Sequence, residues 1–285
     1  MNLDRHNTAI VVDSTADLPL DLAEDSNVTM IPLTVYFGEE AFLDWVQLKP
    51  SDFFQRLAAA PQLPKTSQPP VGEFVQVFRT LRERYARVYS IHLSSKLSGT
   101  YESARIAALE VDGVRVIDSK YATGGLALLI DRLVERLDRG TPEKEFDAYI
   151  ARYLREATFI FIPDTLDYLH KGGRIGRASH LIGTMLSIKP VLIIEDGMVA
   201  VHKKARGARH ALTIMRECLL ERTLPWRDTY VGLTHSFNES LLEQVRNMVL
   251  DAPDRIVHLR GTSIVGSVIG TYAGPGAVGI GFIQE

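Results

Sequence analysis

Hydroxyl side chains are concentrated in three short segments of the first half, at 13–15 (DST), 65–70 (KTSQPP) and 94–100 (SSKLSGT). Each segment follows an apolar run or an extended stretch of the predicted fold. Hydroxyl groups donate hydrogen bonds without bringing charge into an apolar site, and neighbouring helix N-termini direct N–H groups at anions. The three segments therefore predict a site for a carboxylate or a phosphate. Capping of a following helix is the alternative use of each hydroxyl.

Catalytic and metal-binding motifs are missing from the sequence. It contains no G-x-S-x-G, H-E-x-x-H or C-x-x-C, and its eight histidines do not fall at the spacing of metal ligands. His92 and His235 each end an apolar run, so either could approach Ser95 as a base. A Ser95-dependent hydrolase or an acyl-phosphate-processing enzyme therefore stays open as the alternative to a binding protein. We expect no metal and no cofactor.

Two glycine-rich segments have the composition of anion-binding loops. The ending 274–279 (GPGAVG) fits G-x-G-x-x-G, but no helix and no acidic residue at the required distance can follow it, so we predict a tight turn. The segment 171–177 (KGGRIGR) lacks the end of a P-loop, although its Arg174 is able to bind an anion through two hydrogen bonds. The basic run 202–210 is either a docking surface for an acidic partner or a solvated face.

The composition is typical of a folded protein and excludes several classes. Hydrophobic residues make up 46% and charged residues 24% of the 285 residues, which excludes disorder as the main state. The net charge of −3 provides no positive field for nucleic acid. No apolar run reaches the ~18–20 residues of a membrane span, so stable membrane insertion is not expected. The charged N-terminal segment and the single cysteine, Cys218, predict a cytoplasmic protein.

Short apolar runs alternate with segments of helical periodicity, which predicts an α/β fold. We predict two abutting α/β lobes with mainly parallel sheets covered by helices, and a ligand site in the cleft between them. The first domain, 1–155, carries the hydroxyl-rich loops, and the second is 156–285. Predicted strands cover 9–12, 30–37, 88–93, 114–117, 158–162, 191–194, 198–201, 230–234, 255–259 and 278–283. Predicted helices begin at Ser51, after 69–70, after 98–99, at 126, after 140–142, at 181, at 207 and at 239.

Eight segments, taken in chain order, resemble the DegV family of fatty-acid-binding proteins. Each segment alone is a weak signal, but together they cover nearly the whole chain in register and are highly specific. They are 12–19 (VDSTADLP), 31–35 (IPLTV), 66–70 (TSQPP), 91–100 (IHLSS and LSGT), 118–119 (DS), 172–175 (GGRI), 189–192 (KPVL) and 274–279 (GPGAVG).

The resemblance implies a long-chain fatty acid bound between two domains, with its tail enclosed by the C-terminal one. By motif match, Thr66 and Ser95 hydrogen-bond the carboxylate, and Ser67 and Ser94 lie beside them. Some family members present the acyl group to a separate fatty acid kinase, which phosphorylates it. In those members the arginine of the Gly-Gly-Arg-Ile motif, here Arg174, handles the head group or the phosphate. The resemblance thus predicts a lipid-binding carrier that is not itself an enzyme.

One departure from the kinase-coupled members concerns the residue before the glycine-rich ending. Those members carry a histidine where this chain has Tyr272, which still donates a hydrogen bond but stays uncharged near neutral pH. The apolar residues of 181–186 and 191–194 are predicted walls of the tail cavity, and ordinary core is their alternative role. Because each buried methylene contributes ~0.8 kcal/mol, we expect the tail to provide the affinity and the head group to set the orientation.

Overall fold

The computed structural model describes residues 1–181 and 188–285. Strands and helices alternate along most of this part of the chain. The strands are β1 (Asn2–Leu3), β2 (Thr8–Asp13), β3 (Val28–Ile31), β4 (Thr34–Phe37), β5 (Glu40–Leu43), β6 (Lys65–Ser67), β7 (Arg87–His92), β8 (Val114–Asp118), β9 (Thr141–Pro142), β10 (Thr158–Ile162), β11 (Lys189–Glu195), β12 (Met198–Ala205), β13 (Asp228–His235), β14 (Ile256–Ile264) and β15 (Val278–Gln284). The helices are α1 (Leu20–Ala23), α2 (Pro50–Ala59), α3 (Val71–Arg82), α4 (Thr100–Ala107), α5 (Thr123–Arg139), α6 (Glu143–Glu156), α7 (Asp167–Lys171), α8 (Gly207–Glu221), α9 (Glu239–Leu250) and α10 (Ser267–Ala273).

The first sheet has the strand order β3-β2-β7-β8, and all of its pairings are parallel. Every residue of β2 is buried, which explains why this strand appears in the sequence as a continuous apolar run. The carboxyl ends of parallel strands meet at one edge of a sheet. The hydroxyl-rich segments after β2 and β7 therefore lie at the same edge, next to the start of α5.

The second sheet has the order β12-β11-β10-β15-β13-β14 and differs from the prediction of mainly parallel sheets. Only β13 and β14 pair in parallel, and the other four pairings are antiparallel. The turn at Asp196 and Gly197 is too short for a crossover helix, so β11 and β12 must pair antiparallel. The α/β class is confirmed, and so is parallel pairing in the first sheet.

The predicted strand 30–37 is divided between two sheets. Its first part is β3 of the parallel sheet, and its second part is β4, which pairs antiparallel with β5 and β6. Pro32 has no N–H to donate, and the Leu33 N–H donates to Ser14 Oγ at 3.1 Å instead of to a strand. Because of this break, β4 leaves the first sheet. The pairing of Val35 with Thr66 then places Thr66 next to β4.

The long helices and central strands follow the sequence prediction closely. The predicted helices 207–221 and 239–250 are α8 and α9, and the predicted strand 158–162 is β10. The short helices α7 and α10 were not predicted. Of the helix predicted over 181–186, Leu181 ends a 3-10 turn and the rest lies outside the described residues. Among the residues that are described, no helix is long and apolar enough to cross a membrane.

Helix α5 is buried along most of its length and joins the two sheets. Its Leu126 and Leu129 belong to one apolar cluster that also contains Ile10 of β2 and Phe159 of β10. The side chain of the last residue, Glu285, packs beside this helix, where Arg132, Arg136 and Tyr149 hydrogen-bond it. The division at 155/156 falls at the end of α6 and stays a prediction.

Candidate functional site

An apolar cavity lies between the carboxyl edge of the first sheet, the second sheet and α10. The atom-free space of the cavity, together with its mouth that opens to solvent, is about 880 Å³. The wall is almost entirely apolar, as a long hydrocarbon ligand requires. Its apolar residues are Leu33, Leu93, Leu97, Ala122, Phe159, Phe161, Leu169, Ile194, Val199, Val265, Val268, Ile269, Ala273, Ala277 and Val278.

The predicted walls of the cavity are only partly confirmed. Of the residues at 191–194, Ile194 lines the cavity, whereas Val191 belongs to the core beneath the second sheet. Of the predicted wall at 181–186, Leu181 belongs to a buried apolar cluster, and the rest lies outside the described residues. Sequence reasoning missed the stretch 265–273, because the short α10 gives too few turns for a helical pattern to be recognised.

A polar patch on the cavity wall consists of Thr66, Arg174 and Tyr272. The Thr66 and Tyr272 hydroxyl oxygens are 2.6 Å apart, and the guanidinium carbon of Arg174 is 4.7 Å from the centre of the Tyr272 ring. The Arg174 guanidinium also donates to the Gly172 carbonyl at 2.9 Å. A side chain at position 172 would put Cβ 2.4 Å from the Tyr272 ring, so glycine is needed for this stacking. The patch offers hydroxyl groups and one cation to an anion.

Two buried carboxylates hold the N-terminus of α10, the helix that carries Tyr272. The Gly266 N–H donates to Asp17 Oδ1 at 2.9 Å, and the Ser267 N–H donates to Asp44 Oδ1 at 2.8 Å. Burial, together with the nearby Asp44 charge, raises the pKa of Asp17 well above its usual value. Burial also raises the pKa of Asp44 to about 6. Sequence reasoning missed the contact of these two carboxylates with α10, although Asp17 lies within one of the resembling segments.

Ser95 is not among the residues that line the cavity, and its predicted contact with a carboxylate stays a prediction. Its side chain is exposed, its hydroxyl donates to Asp118 Oδ2 at 2.5 Å, and its N–H donates to Asp118 Oδ1 at 3.2 Å. The Asp118 carboxylate, at the end of β8, therefore holds the Ser95 side chain at the surface. From the same loop it is Ser98 that lines the cavity, and its hydroxyl lies 2.9 Å from that of Thr100.

The other two predicted hydroxyls also lie off the cavity wall. The buried Ser94 hydroxyl donates to the Gly197 carbonyl at 2.7 Å and so ties the first half to the β11–β12 turn. The Ser67 hydroxyl is 3.4 Å from that of Tyr36, on the three-stranded sheet. Alternate residues of β6 point to opposite faces, so Ser67 faces away when Thr66 faces the cavity. Of the four predicted hydroxyl ligands, Thr66 is the one that lines the cavity, and the roles of the others toward a carboxylate stay predictions.

The two histidines that could act as bases for Ser95 make no hydrogen bond to it. His92 is buried, with Nδ1 3.0 Å from Asp13 Oδ2 and Nε2 2.6 Å from Ser90 Oγ. Burial lowers the pKa of His235, and its Nδ1 has no hydrogen-bond partner in the described part of the chain. Neither ring is hydrogen-bonded to Ser95, so the arrangement that a Ser95-dependent hydrolase needs is not formed there. Among residues 1–181 and 188–285, no cluster of three or more metal-ligating side chains occurs.

Residues 7–285 match the family model described as "uncharacterised protein, DegV family". The chain belongs to the DegV family. The resemblance seen in the eight sequence segments is thereby confirmed over almost the whole chain.

Several DegV relatives are fatty-acid-binding proteins. The fatty acid-binding protein of Thermotoga maritima is 34% identical over 282 residues, which cover 95% of this chain and 96% of that protein. The solved structure of a fatty-acid-binding DegV family protein from Thermus thermophilus matches with a TM-score of 0.93 and 32% identity, covering 98% of this chain and 100% of that one. A stearic acid-binding protein from Eubacterium ventriosum matches with a TM-score of 0.85 and 29% identity, covering 97% and 98%. These matches confirm the DegV-like fold.

Proposed function

We propose that this DegV family protein binds a long-chain fatty acid non-covalently, with the tail in the apolar cavity and the carboxylate at the polar patch. The observation that carries the proposal is an apolar cavity whose wall bears one cluster of hydroxyls and a cation, at Thr66, Tyr272 and Arg174. The fatty-acid-binding relatives support it. The protein acts as a binding protein rather than an enzyme.

The chemistry of the patch suits a carboxylate. When the Thr66 and Tyr272 hydroxyls share one hydrogen bond, one O–H of the pair remains to donate to a ligand. Arg174 adds a positive charge next to it, and hydrogen bonds to charged acceptors are roughly twice as strong as neutral ones. A tail of about 14 methylenes contributes ~11 kcal/mol before the cost of association, so affinity comes from the tail.

The protein is further proposed to be a cytoplasmic carrier that presents the bound acid to a fatty acid kinase. Arg174 is exposed at the surface while its guanidinium reaches the ring of Tyr272. A kinase docked there would find the carboxylate and a cation that stabilises the dianionic acyl phosphate it forms. Tyr272 replaces the histidine of kinase-coupled relatives. Its hydroxyl is still a hydrogen-bond donor, but it carries no positive charge.

The binding proposal is tested by organic extraction of the purified protein, mass spectrometry of the extract, and calorimetric titration of the delipidated protein. We expect a long-chain acid in the extract. Thr66→Val and Tyr272→Phe, which each remove one hydroxyl, should weaken binding about 10- to 100-fold, because hydrogen bonds to charged groups contribute ~1.5–3 kcal/mol. Thr8→Val is the control, since that buried threonine bonds to Asn7. Recovery of only nucleotide or sugar, with no binding of added acid, would refute the proposal.

The carrier role is tested separately in a phosphorylation assay with a fatty acid kinase. Arg174→Ala should leave acid affinity within about tenfold, because the exposed guanidinium is screened by solvent and the Thr66 and Tyr272 hydroxyls still hold the carboxylate. The same variant should support acyl phosphorylation poorly, and the coupling should weaken as salt rises. Tyr272→His restores the group found in kinase-coupled relatives and is expected to improve phosphorylation. If the kinase phosphorylates the acid bound to neither the wild type nor any variant, the carrier role fails and lipid binding stands.

A further inference from the structure

Helix α10 is a wall of the cavity that is held in place by residues of the N-terminal half of the chain. Four residues of the helix line the cavity, namely Val268, Ile269, Tyr272 and Ala273. At its start, the Gly266 and Ser267 N–H groups donate to Asp17 and Asp44, which we call the carboxylate pair. The Trp45 indole N–H also donates to Asp17, at 3.1 Å. The position of α10, and with it that of the polar patch, therefore depends on this pair.

The surroundings of the carboxylate pair are unfavourable for two negative charges. Asp17 and Asp44 are 1% and 0% exposed, and Oδ2 of each is buried without a hydrogen-bond partner among the described residues. Neither carboxylate forms an ion pair with a described lysine, arginine or histidine, and the charge that acts on Asp17 is that of Asp44. The hydroxyls that face the pair, on Ser14, Thr123 and Ser267, are uncharged. A buried carboxylate without a cation favours its protonated form.

The start of α10 fits tightly against the carboxylate pair. A Cβ at position 266 would lie 2.7 Å from Asp17 Oδ1 and 2.4 Å from Trp45 Nε1, so glycine is needed for this approach. Gly266 and Ser267 cover the carboxylate oxygens to which they donate. Hydration of these oxygens therefore requires the start of α10 to move away, which opens the cavity wall.

Ionisation of the carboxylate pair favours this movement. Burial raises the pKa of Asp44 from 3.8 to about 6, and burial with the Asp44 charge raises the pKa of Asp17 well above its usual value. A hydrated carboxyl returns to its ordinary pKa. The stabilisation of the closed position of α10 is therefore fully present below about pH 4 and is lost as the pH rises through 6.

We propose that a proton on the carboxylate pair controls the opening of α10, so that the bound acid leaves slowly when the pair is protonated and faster when Asp44 is ionised. This inference rests on the proposed function and adds a regulatory step to it. Asp17 and Asp44 are positioning residues that act through α10, because neither is among the residues that line the cavity.

The test measures how fast parinaric acid, a fluorescent polyene fatty acid, leaves the full-length protein for an excess of phosphatidylcholine vesicles between pH 5 and 7. We expect the wild-type rate to rise about tenfold, as a pKa of about 6 in the closed and 3.8 in the hydrated state requires. Asp44→Asn keeps an oxygen for the Ser267 N–H and should release the acid about 100-fold more slowly than the wild type at pH 7, and about tenfold more slowly at pH 5. The exposed Asp112→Asn is the control and should follow the wild type.

A second measurement follows α10 itself. The chain has two tryptophans, of which Trp226 is 72% exposed, so Trp226→Phe leaves Trp45 as the fluorescent reporter beside the start of the helix. In this background we expect the Trp45 emission to change with pH around a midpoint of about 6. The added Asp44→Asn substitution should remove the change.

Two results would overturn the inference and leave the proposed function standing. Release from Asp44→Asn that is faster than wild-type release, or that changes in parallel with it from pH 5 to 7, would mean that Asp44 holds α10 as a structural contact only. Trp45 emission that stays constant over this interval would mean the same, and it needs no variant of the pair. If parinaric acid binds at no pH, the proposed function fails together with the inference.

Discussion

Replacing Asp44 by asparagine should change the pH dependence of stability in a defined direction. Burial raises the pKa of the Asp44 carboxyl from 3.8 to about 6, so the folded state holds this proton more tightly than the unfolded chain does. The resulting stability is fully present below about pH 4 and is lost as the pH rises through 6. At about 1.4 kcal/mol for each pH unit, the loss amounts to about 3 kcal/mol. Asparagine keeps an oxygen for the Ser267 N–H and carries no charge.

The assay is urea unfolding of wild type and Asp44→Asn at closely spaced pH values from 4 to 7. We expect the free energy of unfolding of the wild type to fall, relative to the variant, by about 3 kcal/mol across this interval. Asp112→Asn is the control, because that aspartate is exposed. Profiles of wild type and Asp44→Asn that stay parallel from pH 4 to 7 would refute the reasoning, since they would mean that Asp44 is ionised in the folded state throughout.

Three further changes have expected outcomes that follow from the described contacts. Ser95→Ala decides by calorimetry between two roles of this hydroxyl: the predicted contact with the fatty acid carboxylate gives about a 10- to 100-fold loss of affinity, and its bond to Asp118 alone gives a change within about threefold. Despite burial, hydrogen bonds from arginine and tyrosine lower the pKa of Glu285 to about 2. Glu285→Gln should therefore lose about 2–3 kcal/mol of unfolding free energy at pH 7, and the loss should shrink as the pH falls below about 4.5. Gly124→Ala places a methyl group against Thr234 and should weaken acid binding about tenfold, whereas Gly72→Ala, which meets no atom within 4 Å, should not.

The sequence predicts the long, strongly patterned elements because their periodicity is local. Helices α8 and α9 can be predicted from an apolar face, and strand β10 from an apolar run, because each pattern lies within one short window of the sequence. Strand direction in the second sheet could not be predicted in this way, since periodicity does not distinguish parallel from antiparallel neighbours. The break at Pro32 was missed because the flanking residues, 30–31 and 33–37, are apolar or strand-forming on both sides.

The candidate site depends on contacts between distant parts of the chain. Motif resemblance singled out Thr66, Arg174 and Tyr272 one by one, but the hydrogen bond between Thr66 and Tyr272 joins residues 206 positions apart. Asp118 holds Ser95 and the Gly197 carbonyl holds Ser94, and no pattern within the loop 94–98 contains these contacts.

The burial of α5 between the two sheets predicts that the protein unfolds as a single cooperative unit. Most of its residues are covered, and the cluster around Leu126 and Leu129 includes strands from both halves. A fragment ending near 155 would therefore expose a continuous apolar helix face to water, which favours aggregation. Thermal unfolding should be one transition in which the calorimetric and van't Hoff enthalpies agree. Because α5 joins the halves, we expect neither half to fold when it is expressed alone.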